Sequence, residues 1–137
     1  MRVLVCGSRS FNDYQLLERT LETLPITTII EGEARGADTL ARRYGVGRGL
    51  DVIPFKALWD KHGKAAGAIR NTEMLTKGRP DIVVAFWDGE SRGTRNMIEQ
   101  AQRAGVRTDI VIGEDYWLGW EFDPECVCYR CIKWQGV

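Results

Sequence analysis

Short apolar runs alternate with amphipathic stretches through the first 112 residues. RVLVC, Arg2 to Cys6, is an apolar run that stops at Gly7 and reads as a strand feeding a tight loop, GSRSFND. Tyr14, Leu17, Leu21 and Leu24 then recur at helical spacing up to Pro25, with Asn12 or Asp13 placed to cap the first amides. TTIIE, Thr27 to Glu31, is rich in β-branched residues and predicts the second strand. It runs into EGEARGAD, after which Ala37, Leu40, Ala41 and Tyr44 mark a helix expected to end at Gly45, Gly47 and Gly49.

Asp51 to Pro54 is a weaker third strand. The polar and aromatic stretch through Trp59 and His62 to Gly63 reads as a loop over the sheet edge, and Ala65 to Lys77 as the next helix. DIVVAF, Asp81 to Phe86, is the clearest buried strand; after the loop WDGESRGT, Met97, Ile98, Ala101 and Ala104 predict a helix that Gly105 closes. Asp109 to Ile112 supplies a fifth strand. Nearly continuous apolar strands alternating with helices imply an α/β, Rossmann-like, doubly wound fold: a mainly parallel five-stranded sheet with helices on both faces. Residues 1–112 form that domain, and 113–137, aromatic and cysteine-containing, reads as a C-terminal extension; 137 residues suit one domain with its own core.

Composition narrows the partners. The chain is 44% hydrophobic and 28% charged, with Lys+Arg 19 against Asp+Glu 19, an ordinary globular profile whose zero net charge argues against bulk nucleic-acid binding. Lysines occur only at 56, 61, 64, 77 and 133; the remaining cations are arginines, whose planar fork suits bidentate contact with phosphate. No charged leader precedes the first strand and no apolar run spans a bilayer, so a cytoplasmic, membrane-free protein is expected. Cys126, Cys128 and Cys131 form C-x-C-x-x-C and would need a fourth donor, from His62 or a neighbouring subunit, to complete a zinc site. They read instead as free thiols, with no metal and no cofactor expected. Trp117, Trp120, Phe122 and Trp134 suggest that the extension lies on an apolar surface, such as that of another subunit.

Ligands of open α/β sheets bind outside the carboxyl ends of the strands, where helix N-termini offer amides and a positive dipole end. Three loops qualify: Gly7 to Asp13, Gly32 to Asp38, and Asp88 to Thr94. Each combines glycine, which permits close backbone approach, with an arginine (Arg9, Arg35, Arg92), while Ser8, Ser91 and Thr94 add hydroxyls. The G-x-x-x-x-G-K-[ST] and G-x-G-x-x-G patterns are absent, so neither a P-loop NTPase nor a standard dinucleotide dehydrogenase is indicated.

GSRSFND at 7–13, EGEARGAD with LA at 31–41, and LWDKHGKAAGAIRNTEM at 58–74 leading to DIVVAFWDGESRGT together resemble the YspA/YpsA-type branch of the SLOG superfamily. Its relatives include the DNA-processing protein DprA and the cytokinin-activating LOG phosphoribohydrolases. The resemblance covers roughly residues 1 to 112 and implies a Rossmannoid, usually self-associating protein that senses or processes ADP-ribose-like or other nucleotide-derived ligands, cyclic nucleotide signals among them. The three loops and this resemblance, which places Arg70 and Asn71 against the ligand, together make Gly7, Ser8, Arg9, Asp13, Gly32, Ala34, Arg35, Gly36, Ala37, Asp38, Trp59, Gly67, Arg70, Asn71, Ser91, Gly93 and Thr94 the candidate ligand-binding residues, with Trp59 suited equally to stacking on a base or roofing the core. In LOG enzymes an arginine ahead of the fourth strand and a glutamate three residues after the Gly-Thr pair carry N-glycosidic cleavage; Arg70 matches the first, but Met97 holds the place of the second.

A thioether cannot activate water as a carboxylate does. Substitutes exist in Glu31, Glu33, Asp38 and Glu90, although Asp38 can equally cap its helix and Glu90 can face solvent. His62, the one histidine, reads as a surface residue rather than a catalytic base. The favoured reading is a module that senses or sequesters a nucleotide-derived molecule, with catalytic residues unassigned. The alternatives are a phosphoribohydrolase using a displaced carboxylate and, third, a DprA-like single-strand DNA binder, which would need a continuous basic groove with aromatic platforms.

Overall fold

Five strands, β1 (Arg2–Gly7), β2 (Thr28–Glu31), β3 (Asp51–Pro54), β4 (Ile82–Phe86) and β5 (Arg107–Val111), pair in the order β3-β2-β1-β4-β5. All four pairings are parallel. This computed structural model describes residues 1–112. The extension at 113–137, with the readings of its aromatic residues and of Cys126, Cys128 and Cys131, lies outside the described residues.

Alternation along the strands sorts the core into two layers, because successive side chains point to opposite faces. Val3, Val5, Ile29, Ile82, Val84 and Phe86 face α1 (Tyr14–Glu22) and α2 (Ala37–Gly47), which bring Leu17, Leu21, Ala41 and Tyr44. Leu4, Cys6, Ile30, Val83 and Ala85 face the other way, onto Met74 of α4 (Ala66–Thr76) and onto Met97, Ile98 and Ala101 of α5 (Arg92–Arg103). The expected Rossmann-like sheet with helices on both faces is therefore present, and every pairing among the described strands is parallel. No helix among the described residues is long and apolar enough to cross a membrane.

Local readings fail where tertiary contacts decide. α2 ends at Gly47, within the Gly45, Gly47 and Gly49 stretch expected to close it, but Gly45 itself is helical and a packing residue: a Cβ there would lie 2.6 Å from Cγ2 of Val52 on β3. The left-handed turn after α2 belongs to Gly49, at φ +68. The stretch expected as a loop over the sheet edge contains a helical turn, α3 (Trp59–His62), followed by a 3-10 turn at Gly63–Ala65. Lys61 and His62 both donate their amides to the Leu58 carbonyl, at 3.1 and 2.9 Å. α5 begins at Arg92, ahead of any apolar periodicity, so Gly93 and Thr94 belong to a helix rather than a loop. β5 likewise begins at Arg107, since pairing to β4 recruits its polar edge residues.

The two glycines of α2 should respond oppositely to alanine. Gly45→Ala forces β-branched Val52 to shift and is expected to lower stability in urea unfolding by roughly 1–3 kcal/mol. Gly47, whose added Cβ would meet nothing within 4 Å, should tolerate alanine with no loss or a gain of up to about 1 kcal/mol. Equal responses would contradict the packing role of Gly45.

Candidate ligand-binding crevice

The strand order reverses between β1 and β4: the chain passes to β2 and β3 on one side and to β5 on the other. Loops leaving the carboxyl ends of these two strands must part to opposite faces, which opens a crevice. Its cavity is about 690 Å³, the size of a small-molecule site. Gly7 can only be glycine, since a Cβ would sit 2.5 Å from the Phe86 carbonyl oxygen and 2.6 Å from Cβ of Ala37. Just beyond it, the Ser8 amide donates to the Phe86 carbonyl (3.0 Å) and the Ser8 hydroxyl oxygen accepts from the Asp88 amide (3.1 Å).

The third wall comes from α4. Arg70 Nη1 donates to the Gly32 carbonyl at 2.5 Å, and its Nε to Oδ1 of Asn71 at 3.2 Å. Asn71, 4% exposed, donates through Nδ2 to the Gly93 carbonyl (3.2 Å) and to Oδ1 of Asn96 (3.1 Å). Two adjacent side chains thus tie the loop after β2 to the first turn of α5. Of the five N–H donors of the Arg70 guanidinium, these bonds use two and leave the others for a ligand. Gly32 leaves room for that guanidinium, whose Nη1 would be 2.8 Å from any Cβ placed there.

The helix termini divide in a telling way. α1 is capped by its own Asp13, which accepts from the Leu16 amide at 3.1 Å. α5, preceded by Ser91, has no side-chain cap, and its first residues Arg92, Gly93 and Thr94 line the crevice. Their amides and the positive end of the dipole are available to an anion. Ser91 and Thr94 hydroxyls lie 3.2 Å apart, and Asp88 Oδ1 holds the loop by accepting from the Glu90 (2.8 Å) and Ser91 (2.7 Å) amides.

Most of the residues expected at the ligand meet here. Gly7, Ser8, Arg9, Ala34, Asp38, Trp59, Gly67, Arg70, Asn71, Ser91, Gly93 and Thr94 all line the crevice. Gly32 and Arg35 instead border a smaller adjoining hollow of about 240 Å³. Three lie outside both cavities. Asp13 is the helix cap just described, Ala37 is the first residue of α2 and fully buried in the core, and Gly36, at φ +79, makes a turn in which a Cβ would overlap the Ser8 carbonyl. Ser10, Lys64, Ala68, Asp88 and Asn96 line the crevice without having been singled out; Asn96 and Lys64 read in sequence only as polar helix and loop residues.

The carboxylates were the open question for chemistry. Met97 is fully buried in the core and does not reach the crevice. Glu31 is 1% exposed and lines neither cavity; Oε2 accepts from the Glu33 amide at 2.5 Å and Oε1 has no partner among the described residues. Glu33, at φ +56, borders the smaller hollow and lies 3.7 Å from Arg42, and Glu90 is exposed. Asp38 is not a cap but a buried residue of the first turn of α2, with Oδ2 accepting from the Gly32 (3.0 Å) and Ala34 (3.2 Å) amides. Burial raises its carboxyl above the ordinary range despite those bonds and the Arg70 charge. Burial acts the same way on Asp88, but the Ser91 and Glu90 amides and the Ser8 hydroxyl outweigh it and hold that carboxyl low. Cys6 forms part of the floor, its thiol pushed far up by burial and by Asp38, with Arg70 opposing.

Comparison with known proteins bears on the whole arrangement. The model of the YspA, cpYpsA-related SLOG family matches residues 1–62, which carry the first two ligand loops and Trp59. The Gene 61 protein of Mycobacterium phage D29 is 40% identical over 115 residues, covering 77% of this chain and 91% of its own length.

Glu31 gives this region a pH signature. Its carboxyl is pushed up to about 7 by burial, with the Glu33 amide opposing, Asp38 adding and Arg42 opposing. The folded state therefore holds this proton more tightly than the unfolded chain, where a glutamate titrates near about 4.3. Its contribution favours folding at low pH, declines as pH rises from there to about 7, and levels off above. Glu31→Gln should flatten the fall in unfolding free energy between pH 5 and 8 and raise stability at pH 8 by roughly 1–3 kcal/mol. A residual slope from Asp38, raised in the same direction, is expected; an unchanged slope would show that Glu31 titrates normally.

Proposed function

The chain belongs to the YspA, cpYpsA-related SLOG family, and from this we propose that its crevice binds a phosphate-bearing, nucleotide-derived small molecule in order to sense or sequester it. Family membership points to nucleotide-related binding or processing. One observation carries the choice of ligand: Arg9, Lys64, Arg70 and Arg92 converge with the uncapped terminus of α5 on a single crevice, whose two carboxylates, Asp38 and Asp88, are already engaged by backbone amides. Such a wall favours an anion, and the arginine forks suit phosphate oxygens. Trp59, 49% exposed and on the same wall, offers an aromatic face to a base or ribose. An ADP-ribose-like molecule or a cyclic nucleotide fits this chemistry.

Binding without turnover is favoured because the catalytic glutamate expected from the LOG enzymes is replaced by Met97, which is buried in the core. Hydrolysis remains as a second reading on one observation: Asp38 and Asp88 border the same crevice with environments that move their carboxyls in opposite directions, as an acid and base pair requires. A DNA-binding role gains nothing from a bounded crevice in a chain of zero net charge.

Thermal-shift titration with AMP, NAD, ADP-ribose and cyclic nucleotides, followed by chromatography of whichever stabilises, separates these readings. A ligand at 100 times its Kd should stabilise by about 2.7 kcal/mol and be recovered intact. Arg92→Ala, at an exposed position, should weaken it about ten-fold or more without lowering the apo melting temperature, and Arg70→Ala should abolish it. Recovery of a cleaved product would establish the hydrolase, and no shift across the panel would overturn the nucleotide reading.

A further inference from the structure

The smaller hollow has a composition of its own. It is bordered by Arg9, Arg35, Lys56 and Arg70, against which stands one carboxylate, Glu33, already 3.7 Å from Arg42. Arg9, Arg35 and Lys56 make no ion pair or side-chain hydrogen bond among the described residues. Uncompensated cations gathered around a concavity repel one another, and an anion relieves that repulsion.

Hydrogen bonds hold the backbone of its walls. The amides of Gly32 and Ala34 point inward to Asp38, and that of Glu33 to Glu31. Lys56 follows Phe55, whose amide donates to the Glu31 carbonyl at 2.8 Å. With the loop amides turned away, recognition in the hollow falls to side-chain forks and an ammonium, which favour a terminal, highly charged phosphoryl group over a bridging one. The hollow has about 240 Å³ beside about 690 Å³ for the crevice, which suits a substituent of the ligand rather than a second nucleotide. The two share Arg9, Ala34, Trp59 and Arg70 as a common wall.

We propose that this hollow is a second phosphoryl subsite, and that the ligand is a nucleotide carrying two phosphoryl groups separated by its ribose, one against α5 and the other against Arg35 and Lys56. Trp59 on the shared wall lies between the two and is placed to cover the nucleoside portion. The inference rests on the crevice reading above and adds the substrate class to it.

Isothermal titration of the full chain with AMP and GMP, and with the adenosine and guanosine 3′,5′-bisphosphates, tests it. A bisphosphate should bind about ten-fold or more tightly than its monophosphate, and Arg35→Ala with Lys56→Ala should erase that advantage while leaving monophosphate binding unchanged. Both positions are exposed, so the double variant should keep the parent melting temperature, and Arg103→Ala, in the last turn of α5, controls for general charge. If the monophosphate binds but the bisphosphate has no advantage, or the variants weaken both alike, the subsite is overturned and the crevice reading stands. If neither class binds, the subsite is overturned, and the crevice reading falls with it only when NAD, ADP-ribose and the cyclic nucleotides also give no thermal shift.

Discussion

Gly7 and Phe86 are the last register partners of the two central strands, and the space between them admits a hydrogen atom and nothing larger. Ala37 at the start of α2 presses on the same point. Because β1, β4 and α2 meet this closely, the loops that follow have no freedom to close over the strand ends. They separate, one toward α1 and the other toward α5, while the bonds between Ser8, Phe86 and Asp88 tie their first residues together at the base of the gap. The crevice thus opens directly above the tightest packing between the two central strands.

Arg70 and Asn71 convert that gap into a defined surface. A single turn of the crossover helix reaches the loop after β2 with one side chain and the head of α5 with the next. Neither contact is an ion pair. A guanidinium held by a carbonyl keeps its full charge toward the cavity, whereas a carboxylate partner would cancel it. The acidic residues nearby are treated in the opposite manner: Asp38 and Asp88 are consumed by main-chain amides. Arg9, Lys64, Arg70 and Arg92 outnumber these two carboxyls in the lining, so the crevice is locally cationic although the chain as a whole is neutral.

Strands and helices with a buried apolar stripe were legible in sequence because burial and periodicity coincide there, as in DIVVAF and in the helix carrying Met97 and Ile98. The fold class followed from the same alternation. What escaped was decided at a distance. Gly45 looks like a terminator until Val52 of a neighbouring strand is seen against it. The turn at Trp59–His62 has no apolar stripe to announce it. Among candidate site residues, glycines and arginines in loops were conspicuous, but Asn96 reaches the crevice because α4 and α5 pack side by side, and Lys64 because a 3-10 turn leads into α4. Asp13, Gly36 and Ala37 carry the right residue types in the right loops, yet their work is to cap a helix, turn the chain and fill the core. Composition does not distinguish these tasks from ligand contact.

Cys6 on the crevice floor carries one more consequence. Arginines beside a cysteine ordinarily draw it toward thiolate and so make it a target for peroxide, alkylating agents and soft metals. Here burial and Asp38 hold the proton on sulfur against the pull of Arg70. The crevice lining therefore includes a sulfur kept in its protonated form, a poor nucleophile despite the guanidinium near it.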